Sequence, residues 1–359
     1  MKRSMSPREP AGARAGWDAM INGCGTGRIG GASGKPGAVC PPGKLRVSEN
    51  LPRDRQVARC GPRAARFTIA RMDERDYCSD LCTAAGEPMA GTAPRVDVWL
   101  LLEYAPVWRR KALADNDLSA PVGDWLRAQV QAFEAMGLAV RPQFVRRPEI
   151  DTDRTTLFVA RSGGLFQFES VGYDAMRTLD LTREETLAER FTRVETPRYF
   201  VCTNGQRDLC CARYGLPAYR ELRTLVGGRA WQTTHVGGHR FAPNVVVLPQ
   251  GVLYGRVRPD EVPEFVADVE AGRVSRSHVR GRSAFPPEAQ AAEALLDEPV
   301  LELVDTDGGG VVLRTPAGER RVGVSQDRPF DIVASCGDAE TKRVHAFSAR
   351  PSPPSASAP

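Results

Sequence analysis

Residues 198–211 read RYFVCTNGQRDLCC, and residues 230–244 read AWQTTHVGGHRFAPN. The first stretch opens with an apolar run, Arg198–Cys202, that predicts a buried strand ending at a cysteine. The second predicts a strand over 230–236. Between them LPAYRELRTLVGG (216–228) carries helical periodicity and ends in glycine, so the local order is strand, helix, strand. Downstream, NVVVLPQGVLYGRV (244–257) predicts a hairpin turning at Pro249–Gly251, and PDEVPEFVADVEAG (259–272) a helix with Asp260 as N-cap. Residues 196–285 therefore form an α/β unit. The cysteines and histidines of both stretches lie where a strand runs out into a loop, the usual place for a site supported by a scaffold.

Working outward, residues 66–195 predict a smaller α/β domain. VDVWLLLEYA (96–105) is a continuous apolar run and reads as a buried strand. DWLRAQVQAFEAMG (124–137) places Leu126, Val130, Phe133 and Met136 on one helical face and stops at Gly137. Strands follow over 139–147, 155–162 and 165–171, with Gly163–Gly164 as a turn between the last two. TREETLAERF (182–191) predicts a helix capped by Thr182 with Glu185 completing a capping box. Residues 286–345 hold short strands broken at Asp307–Gly310 and Pro316–Gly318, a small β-appendage. Residues 1–65, rich in Arg, Gly and Pro without apolar periodicity, read as a disordered tail, or as sequence upstream of a true start at Met72. Residues 346–359 read as a second disordered tail. No repeat at a solenoid period is visible.

Composition narrows the function. The chain of 359 residues is 42% hydrophobic and 26% charged, enough for real cores. No apolar run approaches the length of a membrane span, and the N-terminus lacks the apolar stretch of a signal peptide, so a cytoplasmic protein with no membrane partner is expected. The net charge of +5 is carried by the first 65 residues, which hold 12 basic and 4 acidic side chains. The remainder is slightly acidic, with 37 against 40, which argues against a nucleic-acid partner. Nine cysteines without an export signal favour metal binding or thiol chemistry over a disulfide framework.

Three of the nine cysteines and two of the four histidines fall between Cys202 and His239. Two thiolates and two imidazoles are a zinc set, and H-x₃-H is a permitted zinc spacing. Zinc fingers, however, use a tight cysteine knuckle and a helical H-x₃-H, whereas these cysteines are widely spaced and His-Val-Gly-Gly-His is a poor helix. The wider spacing suits a [2Fe–2S] cluster better. Gly237 and Gly238 would let the backbone wrap closely round such a group and aim amide N–H groups at its sulfides.

The motifs C-T-N-G-x-R-D-x-C-C at Cys202–Cys211, W-x-x-T-H-V-G-G-H-R-F-A-x-N at Trp231–Asn244 and L-P-x-G-x-x-Y-G-R-V at Leu248–Val257 resemble the sucrase/ferredoxin-like family over roughly 72–285. The resemblance implies a thioredoxin-like ferredoxin domain at 196–285, preceded by the small α/β domain and followed by the β-appendage. It further implies a [2Fe–2S] cluster on Cys202, Cys211, His235 and His239, with Cys210 an alternative to Cys211. No paired carboxylates support the sucrose chemistry in the family's name. With two thiolates and two neutral imidazoles the oxidised cluster has zero net charge. Its potential should then lie above the roughly −400 mV of plant-type ferredoxins. Proton uptake by the imidazoles on reduction would make the potential fall with rising pH. The expected role is one-electron transfer between a reductase and an acceptor, by a carrier rather than an enzyme with its own substrate. An Fe–S redox sensor acting through a partner and a structural zinc module are the alternatives.

Other residues read more plainly. Cys78 and Cys82 are expected to be two ordinary thiols, and His278 and His345 to be solvated. Trp99, Trp108, Trp125 and Trp231 are expected in the core. Arg207, Asp208 and Arg240 either tune the cluster or brace its loops, and Cys336 has no assignable role from position alone.

Overall fold

The structure, a computed structural model, describes residues 77–307 and 310–351, all within one compact unit. The expected tail at 1–65 lies outside the described residues, as do 352–359. A short helix α1 (Cys78–Ala84) precedes strand β1 (Val98–Glu103), helix α2 (Ala120–Ala135) and strands β2 (Val140–Arg146), β3 (Arg154–Arg161) and β4 (Gly164–Val171). Helix α3 (Glu184–Arg190) and strand β5 (Thr192–Arg193) follow. The chain continues through β6 (Arg198–Cys202), α4 (Leu209–Val226), β7 (Ala230–Thr233), β8 (Val245–Leu248), β9 (Val252–Tyr254), α5 (Val262–Glu270) and β10 (Val279–Arg282). Last come α6 (Pro287–Leu295), β11 (Glu302–Asp307), β12 (Gly310–Thr315), β13 (Gly318–Gln326), β14 (Phe330–Ile332), β15 (Lys342–Val344) and β16 (Phe347–Pro351).

Ten strands form one sheet in the order β10-β9-β8-β6-β7-β2-β1-β3-β4-β5. Within it β7-β6-β8-β9 is a recognisable unit. The β6 and β7 strands are parallel and joined by α4, while β8 runs antiparallel to β6 and to β9, with α5 after β9. That is the thioredoxin-like arrangement, and the fold is α/β as expected. The same order recurs in β2-β1-β3-β4, where β1 and β2 are parallel around α2 and β3 and β4 are antiparallel. The two halves meet where β2 pairs antiparallel with β7 at Val145–Thr233 and Arg146–Gln232. The sheet thus runs unbroken across residue 195. The repeated topology leaves no periodic motif in the sequence, because the halves share strand order and not side chains.

Packing follows the strand pleat. Val98, Leu100 and Leu102 of β1 pack with Trp125, Leu126, Val130 and Phe133 of α2, while Tyr199 and Val201 of β6 pack with Tyr219 and Leu222 of α4 and Phe265 of α5. The opposite face joins the halves in one core that contains Trp99, Leu101, Val145 and Phe158 together with Phe200, Cys202, Trp231 and Val246. The apolar run of β1 is buried on both faces, which is what its lack of polar alternation signals. All four tryptophans expected in the core are buried.

Four local expectations change. The α3 helix begins at Glu184 with Arg183 at the N-cap, and Thr182 donates instead to Asp180 at 2.6 Å, so the capping box does not form. A turn of 3₁₀-helix at Pro259–Glu261 precedes α5, so Asp260 lies inside that turn rather than at an N-cap. The appendage contains a helix as well as strands: Ala289 and Ala292 of α6 pack against Val311, Leu313 and Val322 of the sheet β11-β12-β13-β16. Its last strand, β16, occupies residues expected in the tail and pairs with β13 from Val322–Pro351 to Gln326–Phe347. The expected turn at Pro316–Gly318 follows the Thr315–Gly318 pair of β12 and β13, whereas the one expected at Asp307–Gly310 includes residues 308–309, which lie outside the described residues.

Candidate metal centre

The site lies at the carboxyl ends of the parallel strands β6 and β7, against the N-terminus of α4. Cys202 is the last residue of β6 and is buried. The α4 helix starts at Leu209, seven residues earlier than the periodicity at 216–228 suggests. The side chain of Asp208 caps it, accepting from the Cys210 N–H at 2.9 Å. Pro217 lies inside the helix. Gly215 lets α4 lie against the end of β6, for a Cβ there would come within 2.2 Å of the Cys202 carbonyl oxygen. Cys210 and Cys211 therefore stand on a first helical turn and not on a loop, and both are buried.

Adjacent on the helix, the two thiols point to different groups. Cys211 joins Cys202 and His235, whose ligating atoms all lie within 4.8 Å of one another. His235 Nδ1 is 4.0 Å from Cys202 Sγ and 3.8 Å from Cys211 Sγ. Of the four residues expected to act together, three are thus assembled. His239 lies beside them, its ring 5.1 Å from that of His235, with its Nδ1 turned to Asp208 Oδ2 at 3.2 Å. Cys210 faces away from this group and sits 3.5 Å from Cys78 Sγ.

The electrostatics favour negative charge. The Cys202 thiol is pushed well below its ordinary pKa by the sulfur contact with Cys211 and, against the cost of burial, by His235 and the Val236 N–H. Cys211 is pushed the other way by the same sulfur contact, so the pair holds one thiolate readily. Two arginines stand by, Arg280 buried and Arg141 partly buried. Burial lowers Arg141 to about 10 and Arg280 to about 9, and Cys202 opposes the fall in both. Among the described residues no carboxylate pairs with either one. Arg141 Nη2 donates to the His235 carbonyl at 3.2 Å, and its Nε has no partner. Arg280 donates to the carbonyls of Gly237 and Thr92 at 2.8 and 2.7 Å. Burial, together with His235 and Arg207, lowers His239 to about 3.

The glycine pair also makes room for a side chain. Gly237 and Gly238 take φ of 92° and 71°, and a Cβ on Gly238 would lie 2.5 Å from the Arg280 guanidinium. Their freedom seats a buried cation under the histidine loop. Arg240 pairs with the buried Glu87 at 2.9 Å and braces that loop. His278, expected in solvent, is buried against Phe265, whereas His345 is exposed. Cys82 contacts Glu87 and Arg256 at 2.8 and 3.0 Å, as an ordinary buried thiol. Cys78, expected to be an ordinary thiol, instead approaches Cys210 and Asp208, and Cys336, which position alone does not show to be reactive, joins them. No local spacing could have revealed that group, since its members come from three distant segments.

Fold and site together define a thioredoxin-like α/β protein with buried thiols and a partly exposed imidazole that could hold a metal. The sequence profile of the sucrase/ferredoxin-like family matches residues 89–281, more than half of the chain, and the chain belongs to that family. Over 92 residues it is 35% identical to altered inheritance of mitochondria protein 32 of Meyerozyma guilliermondii, a match that covers 23% of this chain and 33% of that protein. The chain thus spans about a third of the curated relative it matches. A solved thioredoxin-like [2Fe-2S] ferredoxin from Aquifex aeolicus is similar at 23% identity and a TM-score of 0.23, over 26% of this chain and 97% of its own. Among the described residues no helix is long and apolar enough to cross a membrane.

Proposed function

We propose that the chain is an electron-transfer protein that carries a [2Fe–2S] cluster on Cys202, Cys211, His235 and His239. The observation that carries this reading is a Cys–Cys–His group with both thiols buried, beside two arginines that among the described residues lack carboxylate partners. Such a donor set suits iron and sulfide, and the uncompensated cations suit a group that gains negative charge. When bound, the cluster would supply reversible one-electron storage.

The protein's own residues shape that chemistry. Cys202 and Cys211 anchor the group from the dry end of the sheet. His239 Nδ1 lies 3.2 Å from Asp208 Oδ2, a placement that would leave Nε2 for ligation with a carboxylate behind the imidazole, the pattern common at metal sites. Arg141 and Arg280 add positive potential, which favours the reduced state and supports a potential above that of four-cysteine ferredoxins. Both histidines are partly exposed while both cysteines are buried, so a reductase and an acceptor would dock on the histidine side. A reducing compartment such as the cytoplasm fits the six free cysteines among the described residues.

Protein purified without oxygen should be brown, should contain iron and acid-labile sulfide in equal amounts, and should give an EPR signal on reduction. His235→Cys and His239→Cys should shift that signal and lower the midpoint potential. A colourless wild type holding only zinc would end the reading. Unchanged spectra in both variants would remove the histidines from the ligand set.

A further inference from the structure

Cys78, Cys210 and Cys336 bring three sulfurs into a triangle at the N-terminus of α4. The Sγ–Sγ distances are 3.5 Å for Cys78–Cys210, 3.2 Å for Cys210–Cys336 and 3.7 Å for Cys336–Cys78. Asp208 completes the group, with all four ligating atoms within 4.8 Å of one another. Asp208 Oδ1 lies 3.9 Å from Cys78 Sγ. The carboxylate is held firmly, since it accepts from the N–H groups of Cys210 and Cys336 at 2.9 and 3.0 Å and from the Ser335 hydroxyl at 2.9 Å.

We propose that Cys78, Cys210, Cys336 and Asp208 form a second, mononuclear site for a divalent metal of the zinc class. Two sulfurs would suffice for a disulfide. A third in contact with both, plus an oriented carboxylate, is a tetrahedral donor set. Zinc–sulfur bonds of about 2.3 Å place tetrahedral sulfurs roughly 3.8 Å apart, so the observed triangle needs only slight opening. Three thiolates suit a borderline-soft ion and disfavour magnesium or calcium. The 18-residue helix α4 presents its positive end to the thiolates, and ligation would release the thiol protons to solvent.

The site accounts for the adjacent cysteines of α4, which serve two centres from one helical turn. It also explains why the chain returns at Cys336. The three cysteines are 132, 126 and 258 residues apart in sequence, so one ion would tie α1 and the C-terminal segment to α4. No ligand is shared with Cys202, Cys211, His235 and His239, though Cys78 Sγ and Asp208 Oδ2 lie 3.6 and 3.2 Å from His239 Nδ1, and the inference does not rest on the cluster.

The test measures metal content of the full chain and of Cys78→Ser, Cys336→Ser and Cys82→Ser, with iron and the visible spectrum followed in parallel. Wild type should hold about one zinc per chain. Cys78→Ser and Cys336→Ser should lose it while iron stays at the wild-type level, and Cys82→Ser should keep both. Wild type loaded with Co²⁺ in place of zinc should show thiolate-to-cobalt charge transfer and tetrahedral d–d bands, a readout that needs no variant to fold. Zinc-free wild type that fails to take up Co²⁺ would overturn the proposal. So would a disulfide among the three cysteines in metal-free protein alkylated without reductant, or zinc that is lost only in Cys202→Ser.

Discussion

Gly215 shows how one missing atom sets the site. Its Cα packs on the end of β6 so closely that a methyl group would meet the Cys202 backbone at 2.2 Å, and backbone cannot swing aside as a side chain can. Gly215→Ala should push α4 from β6, separate Cys202 from Cys211, and cost about 3 kcal/mol, the upper end for overpacking, because backbone must shift. Urea denaturation with metal content measured on the same sample checks this, and a variant of wild-type stability that keeps its metal would contradict it. At Gly238 the constraint has another cause, because the space of its absent side chain holds the Arg280 head. The importance of a G-G pair between the histidines was legible in the sequence. The arginine that needs it, 42 positions beyond Gly238, was not, since nothing local to Arg280 marks it as buried.

At the scale of elements, α5 and the strands beneath it contain a titrating group. His278 packs edge-on against Phe265 with ring centroids 6.0 Å apart, and its buried Nδ1 has no partner. Burial lowers its pKa below the ordinary 6.5, with the carboxylates of Glu261, Glu264 and Asp268 opposing the shift. The folded state therefore binds this proton less readily than the unfolded chain. Above pH 6.5 the residue is neutral in both states and carries no penalty, and stability is lost as pH falls below that value. The loss in unfolding free energy between about pH 7.5 and 5.5 should be smaller in His278→Gln than in wild type, whatever the variant's absolute stability. Equal losses would show that His278 does not contribute. The sequence places His278 in a polar stretch. The pairing of β9 with β10 buries it beneath α5, a contact that a local reading does not contain.

At the scale of the whole molecule, two β-α-β-β halves share a sheet and one face of core. The ladder between them has only the Val145–Thr233 and Arg146–Gln232 pairs, yet Val145, Phe158, Phe200 and Trp231 pack in one cluster behind it. Residues 196–351 expressed alone would expose β7 as an edge and uncover that cluster. This piece should self-associate in size-exclusion chromatography while residues 77–351 elute as a discrete species, and a stable monomer of 196–351 would refute the dependence. The sequence by itself determined most strands and helices of residues 96–272, the α/β class, the core tryptophans and the closeness in sequence of the cysteines and histidines between Cys202 and His239. Those depend on periodicity, turn residues and motifs within about forty positions. Tertiary structure alone decided that Cys210 and Cys211 face different groups, that Cys78 and Cys336 meet Cys210, that Arg141 and Arg280 stand beside the thiols, and that the halves join through β2 and β7. Each of these is a contact between segments far apart in the chain, and such contacts are set by how the sheet closes and its faces pack, which leaves no mark in local spacing.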